Sequence, residues 1–101
     1  MVACVLGTTG CATRDEHYRP AAGYVPDAKT AIRIAEAIWT PIFGEREIRS
    51  ERPYRAELRG RVWHVYGSLP PPPPGWMHVG GVAEAEIDRY PGKILRVYHG
   101  E

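Results

Sequence analysis

The residues of this chain that could do chemistry are four histidines, two cysteines and a scatter of carboxylates. The histidines are His17, His64, His78 and His99, and no two of them stand at the i, i+4 spacing that puts two ligands on one helix face. Cys4 and Cys11 fall in the first dozen residues, with no Cys-x-x-Cys, and two cysteines without further ligands do not make a metal site. A Gly-x-Ser-x-Gly nucleophile elbow is absent. "GTTG" at Gly7–Gly10 precedes no phosphate-loop lysine. His64, Glu84 and Glu86 could all face outward from the sheet as a strand-borne ligand set, but half-exposed charged residues on a sheet are ordinarily solvated. A carboxylate beside a tyrosine or histidine could move protons in a deep apolar pocket, and a small core has little room to enclose one. These patterns predict a noncatalytic protein with no cofactor.

The first residues, "MVACVLGTTGCATRDEH", are apolar and small before turning polar at Thr13. The run is too short to span a bilayer but has the character of the end of a secretory hydrophobic region. "LGTTGC" resembles the lipobox of bacterial lipoproteins, in which the cysteine is lipidated, making Cys11 the candidate. Thr8 stands where that pattern prefers leucine, and no basic region precedes it. A tail outside the fold and a packed strand are the other readings. Residues 1–23 are thus expected to be a signal-like leader and tether, and 24–101 the folded domain.

Composition suits one soluble domain: 101 residues, 44% hydrophobic, 25% charged, net charge +1. That balance gives no electrostatic case for nucleic acid, or for a membrane beyond a lipid anchor at Cys11. "VPDAKTAIRIAEAIWTPIFGE" predicts a helix. Asp27 is its N-cap, and Ala28, Ala31, Ile32, Ala35, Ile38, Trp39 and Ile42 form its apolar stripe. Pro41 is expected to kink or end it and Gly44 to stop it. The charged run Gly44–Arg55, "GEREIRSERPYR", reads as a solvated linker and edge.

Two hairpins follow. Centring the first turn on Gly60-Arg61 pairs Leu58 with Trp63 and Ala56 with Val65. Tyr54, Ala56, Leu58, Trp63 and Val65 then share one face. In the second hairpin Ala83, Ala85 and Ile87 share a face with Leu95 and Val97, and Glu86 lies opposite Arg96. Between the hairpins "LPPPPPGWMHVGG" is expected to be a stiff loop. The fold expected is α+β: one N-terminal helix on a four-stranded antiparallel sheet, cystatin-like or half-cone. The outer sheet face would carry Arg55, Glu57, Arg59, His64, Tyr66, Glu84, Glu86, Arg96 and Tyr98. Aromatics and arginine dominate protein-binding hot spots. Candidate partner-binding residues are therefore Arg55, Arg59, His64, Tyr66, Glu84, Glu86, Arg96 and Tyr98, with Trp76 and Met77 in the loop.

Three stretches, "DAKTAIRIAEAIWTPIFGE", "RPYRAELRGRVWHVYGSLP" and "GGVAEAEIDRYPGKILRVYHGE", resemble the small nuclear transport factor 2 fold immunity proteins of bacteria over Asp27–Glu101. The last hairpin is also similar to a PepSY module. The first resemblance implies a protein that binds a cognate toxin and blocks it, without catalytic groups. Lipidation at Cys11 would put that encounter in the periplasm, and a spurious leader would put it in the cytoplasm. The PepSY likeness implies instead an envelope lipoprotein that inhibits an exported protease or binds a small ligand.

Overall fold

A computed structural model describes residues 17–77 and 80–100. The order is α1 (Ala28–Phe43), α2 (Glu45–Ser50), β1 (Arg55–Arg59), β2 (Val62–Tyr66), β3 (Ala83–Asp88) and β4 (Ile94–His99). The strands form one antiparallel sheet in chain order, β1-β2-β3-β4. The expected α+β architecture is what the structure shows. The leader and the lipidation expected over residues 1–16, Cys4 and Cys11 included, and the position of His78 lie outside the described residues.

Asp27 caps α1 by accepting the Thr30 N–H at 2.8 Å. Ala31, Ala35 and Trp39 are buried at successive turns, with Phe43 packed against the same cluster. The four-residue spacing continues to Phe43, so Phe43 completes the stripe and Ile42, expected there, is 58% exposed. Pro41 cannot donate to the preceding turn, yet the helix runs two residues past it before Gly44 (φ 98°) ends it, its N–H on the Thr40 carbonyl.

The charged run after Gly44 is not a plain linker. Its first part is α2, which buries Ile48 and leads into Glu51, at 2% exposure the buried charged residue of the described core. Tyr54 fastens this segment to α1. Its hydroxyl donates to the Ile48 carbonyl at 2.7 Å, and its ring meets Trp39 edge-on at 5.5 Å.

The first hairpin has the expected register, Leu58 opposite Trp63 and Ala56 opposite Val65. Trp63 and Val65 are buried, whereas Leu58, near the end of the edge strand, is exposed. In the second hairpin Glu86 faces Arg96 as expected, but Ile87 pairs with Ile94 across a register shift. The bulge leaves Leu95 without an opposite residue and turns it outward, so Ile94 and Val97, not Leu95, pack on the core.

Indole nitrogens tie the layers together. Trp39 Nε1 donates to the Glu84 carbonyl at 3.2 Å, and Trp63 Nε1 to the Val25 carbonyl at 2.7 Å. Buried polar hydrogens need such partners. Val25 is held in turn by its N–H on the Arg89 carbonyl, which lays the segment before α1 across the β3–β4 turn.

Candidate functional site

Along β2 and β3, residues buried at 0–8% exposure alternate with partly exposed ones. The buried set faces α1. The other set builds a polar sheet face in two rows: Arg55, Tyr66, Glu84 and Tyr98, then Glu57, His64, Glu86 and Arg96. Arg59 lies at its corner on β1. Every outer-face candidate read from the alternation therefore stands on this face.

The face is cross-linked. Glu84 Oε1 accepts from the Tyr98 hydroxyl at 2.6 Å and pairs with His64 Nε2 at 2.7 Å. Glu57 accepts from the Tyr66 hydroxyl at 3.0 Å and from Arg59 at 2.9 Å. Glu86 is 3.8 Å from Arg96, whose guanidinium lies 4.4 Å from the centre of the Tyr98 ring. Hence His64, Glu84 and Glu86, all outward, do not converge: His64 takes Glu84 diagonally and Glu86 goes to Arg96. His64 Nδ1 is buried and has no hydrogen-bond partner among the described residues. Burial pushes the Glu84 carboxyl up, but the hydrogen bonds from Tyr98 and His64 outweigh it and leave it below the usual carboxylate value. The Tyr98 phenol is raised, chiefly by its bond to Glu84, and the Tyr66 phenol by its bond to Glu57.

Trp76 and Met77 stand apart from the sheet face on the loop, 72% and 83% exposed. Trp76 follows a turn closed by its own N–H on the Pro73 carbonyl at 3.0 Å, with Gly75 at φ 84°. The turn stiffens the presentation of an indole that buries little of itself.

A second cluster escaped sequence reasoning. Glu51 Oε1 accepts the Ala83 N–H at 2.8 Å, and Oε2 meets His99 Nε2 at 2.7 Å. Glu47 Oε2 is 3.7 Å from the same nitrogen. His99 Nδ1 donates to the Gly100 carbonyl at 2.8 Å, and Phe43 packs edge-on against the ring at 5.2 Å. Burial pulls the imidazole down, but Glu51, the Gly100 carbonyl and Glu47 outweigh it, and the net displacement is upward. The group lines a cleft of about 540 Å³ between α2, the chain after β2 and the end of β4. Glu51 and His99 are 48 residues apart and no short motif links them. The only local signal was a glutamate at helical spacing from Glu47 in a run read as solvated.

Among the described residues no helix is long and apolar enough to cross a membrane. A model of the NTF2 fold immunity protein family matches residues 30–101. No curated protein and no solved structure matches the chain.

Proposed function

The chain belongs to the NTF2 fold immunity protein family, and from that premise we propose that it neutralises a cognate bacterial toxin by binding it, without catalysis of its own. The observation that carries the reading is the family match over residues 30–101, which covers α1 from Thr30, α2 and the whole sheet. The sheet supports it: one face is filled by α1, and the other presents arginine, tyrosine and carboxylate side chains in a rigid two-row array. Arg96 stacked on Tyr98 offers the guanidinium–aromatic surface that anchors protein interfaces. Trp76 and Met77 offer an apolar contact at the loop.

The contact face is the outer sheet, with Arg55, Arg59, His64, Tyr66, Glu84, Glu86, Arg96 and Tyr98, together with Trp76 and Met77. Its mixed charges set the partner's orientation and exclude poor partners more than they raise affinity. The lipobox-like "LGTTGC" supports attachment through Cys11 at the periplasmic face. Loss of lipid labelling in Cys11→Ser is the expected result there, and unlabelled wild type would refute the anchor.

The test of the function is coexpression with the toxin encoded beside this gene, followed by copurification. Rescue of growth and a stoichiometric complex are expected. A toxin that kills regardless, and that the purified protein does not bind, would overturn the assignment.

A further inference from the structure

We propose that Glu47, Glu51 and His99 form a binding site for one divalent transition-metal cation, in the cleft between α2 and the end of β4. One ligand atom from each residue lies within 4.8 Å of the other two. Tetrahedral Zn²⁺ bonds of about 2.0–2.2 Å to nitrogen and oxygen place neighbouring ligand atoms roughly 3.3–3.6 Å apart. The separations from His99 Nε2, 2.7 Å to Glu51 and 3.7 Å to Glu47, bracket that distance. Glu47 is half exposed and can swing to close the difference, while Glu51 is fixed.

The surrounding bonds orient the ligands as metal sites require. Ala83 N–H occupies Glu51 Oε1 and leaves Oε2 facing the cleft. The Gly100 carbonyl can only accept, so His99 Nδ1 carries its hydrogen there and Nε2 is the atom turned to the carboxylates. A histidine whose far nitrogen donates to a carbonyl is the usual outer-shell arrangement behind a metal ligand.

Charge points the same way. A bare Nε2 lone pair would face two carboxylates, so positive charge belongs between the three. A proton on Nε2 serves one contact at a time. A divalent cation serves all three and balances both carboxylates, with the imidazole neutral. Two carboxylate oxygens with one imidazole suit Zn²⁺, Mn²⁺ or Co²⁺, whereas Mg²⁺ and Ca²⁺ favour all-oxygen shells. Three protein ligands leave a coordination position open towards the cleft for water or for a donor from another molecule. The proposal does not depend on the toxin-binding reading.

The experiment is calorimetric titration of the full chain with ZnCl₂, and with MgCl₂ in parallel. One Zn²⁺ per chain is expected, with Mg²⁺ much weaker and with His99 ring NMR signals moving on addition of Zn²⁺. Glu47→Gln and His99→Gln should each weaken binding by ~10-fold or more, as loss of a ligand exceeds the loss of an outer-shell partner. Glu47→Gln alters a half-exposed side chain and decides the matter even where His99→Gln weakens the fold. Replacing Cys4 and Cys11 by serine, or His17 and His78 by glutamine, should leave the affinity unchanged. Failure to bind Zn²⁺, indifference to Glu47→Gln, or binding lost with the cysteines would each overturn the site.

Discussion

Glu84 accepts from a phenol and an imidazole at once, and that pair of hydrogen bonds to one carboxylate oxygen shapes how the outer face responds to pH. Its carboxyl sits below the ordinary value of 4.5 in the folded chain. A depressed carboxyl contributes stability above its unfolded value, which is lost as pH falls through the folded one. Tyr98 has the opposite displacement, above 10.0. Its contribution is complete below that value and is lost as pH climbs through the raised folded one. Unfolding measured against pH should therefore show an acid loss beginning near 4.5 and an alkaline loss beginning near 10.0. Tyr98→Phe should remove the alkaline loss due to this residue and raise the Glu84 midpoint, read from its side-chain carboxyl ¹³C signal. An unchanged Glu84 midpoint would show that the phenol does not stabilise the anion. The membership of this face was legible, because strand alternation sorts side chains whatever their neighbours. The Glu86–Arg96 pair could be read from the hairpin register, but the partner of His64 could not: alternation places it among Glu84 and Glu86 and does not choose between them.

Elements show the same division between repeating pattern and local exception. The helix and the register of the first hairpin could be read because the apolar spacing of α1 and the glycine at Gly60 each admit few alternatives. The bulge could not, since "ILRV" keeps apolar residues at both Ile94 and Leu95, and only the pairing of Ile87 decides between them. That decision has a measurable consequence. Ile94→Ala should cost about 1–2 kcal/mol for the apolar area returned to water, while Leu95→Ala, already 41% exposed, should stay within about 0.5 kcal/mol. Urea midpoints of the two variants, with equal slopes, compare them directly. The short helix α2 was illegible for a different reason: among its six residues only Ile48 is apolar, too few for a period. Its worth lies in delivering Glu51 to the sheet. Gly67 makes room for that carboxylate, and a Cβ there would stand 2.5 Å from Glu51 Oε1. Gly67→Ala should expel the side chain, strip Ala83 N–H of its acceptor and cost ~1–3 kcal/mol for the buried donor alone. Amide exchange at Ala83 should accelerate with it. Protection retained at Ala83 would show that another acceptor replaces Glu51.

At the scale of the whole molecule, the sheet separates the side chains that hold the chain together from those left on its open face. Trp39 is fully buried and anchors α1 to β3 through its indole nitrogen. Truncating it to alanine should cost ~3–5 kcal/mol, a large share of the ~5–15 kcal/mol that a domain has, and most severe in one this small. Arg96 lies on the opposite face, 60% exposed and 3.8 Å from Glu86. A surface pair of that kind contributes about 0–1 kcal/mol, so Arg96→Ala should leave the urea midpoint almost where it was. If the outer face meets the toxin, the same substitution removes the cation stacked on Tyr98 and should weaken the complex by ~10-fold or more. The two variants should therefore fail in different ways. Trp39→Ala loses protection because folded protein is lost, and excess expression recovers part of it by mass action. Arg96→Ala remains folded and protects poorly at equal folded concentration. Because the two side chains lie on opposite faces of the sheet and make no direct contact, their effects on stability should add in the double variant to within about 0.5 kcal/mol. Toxin affinity measured on folded Arg96→Ala, alongside its unfolding curve, tests the separation. An affinity equal to wild type would move the contact off this end of the outer sheet and leave the loop carrying Trp76 and Met77 as the surface to substitute next.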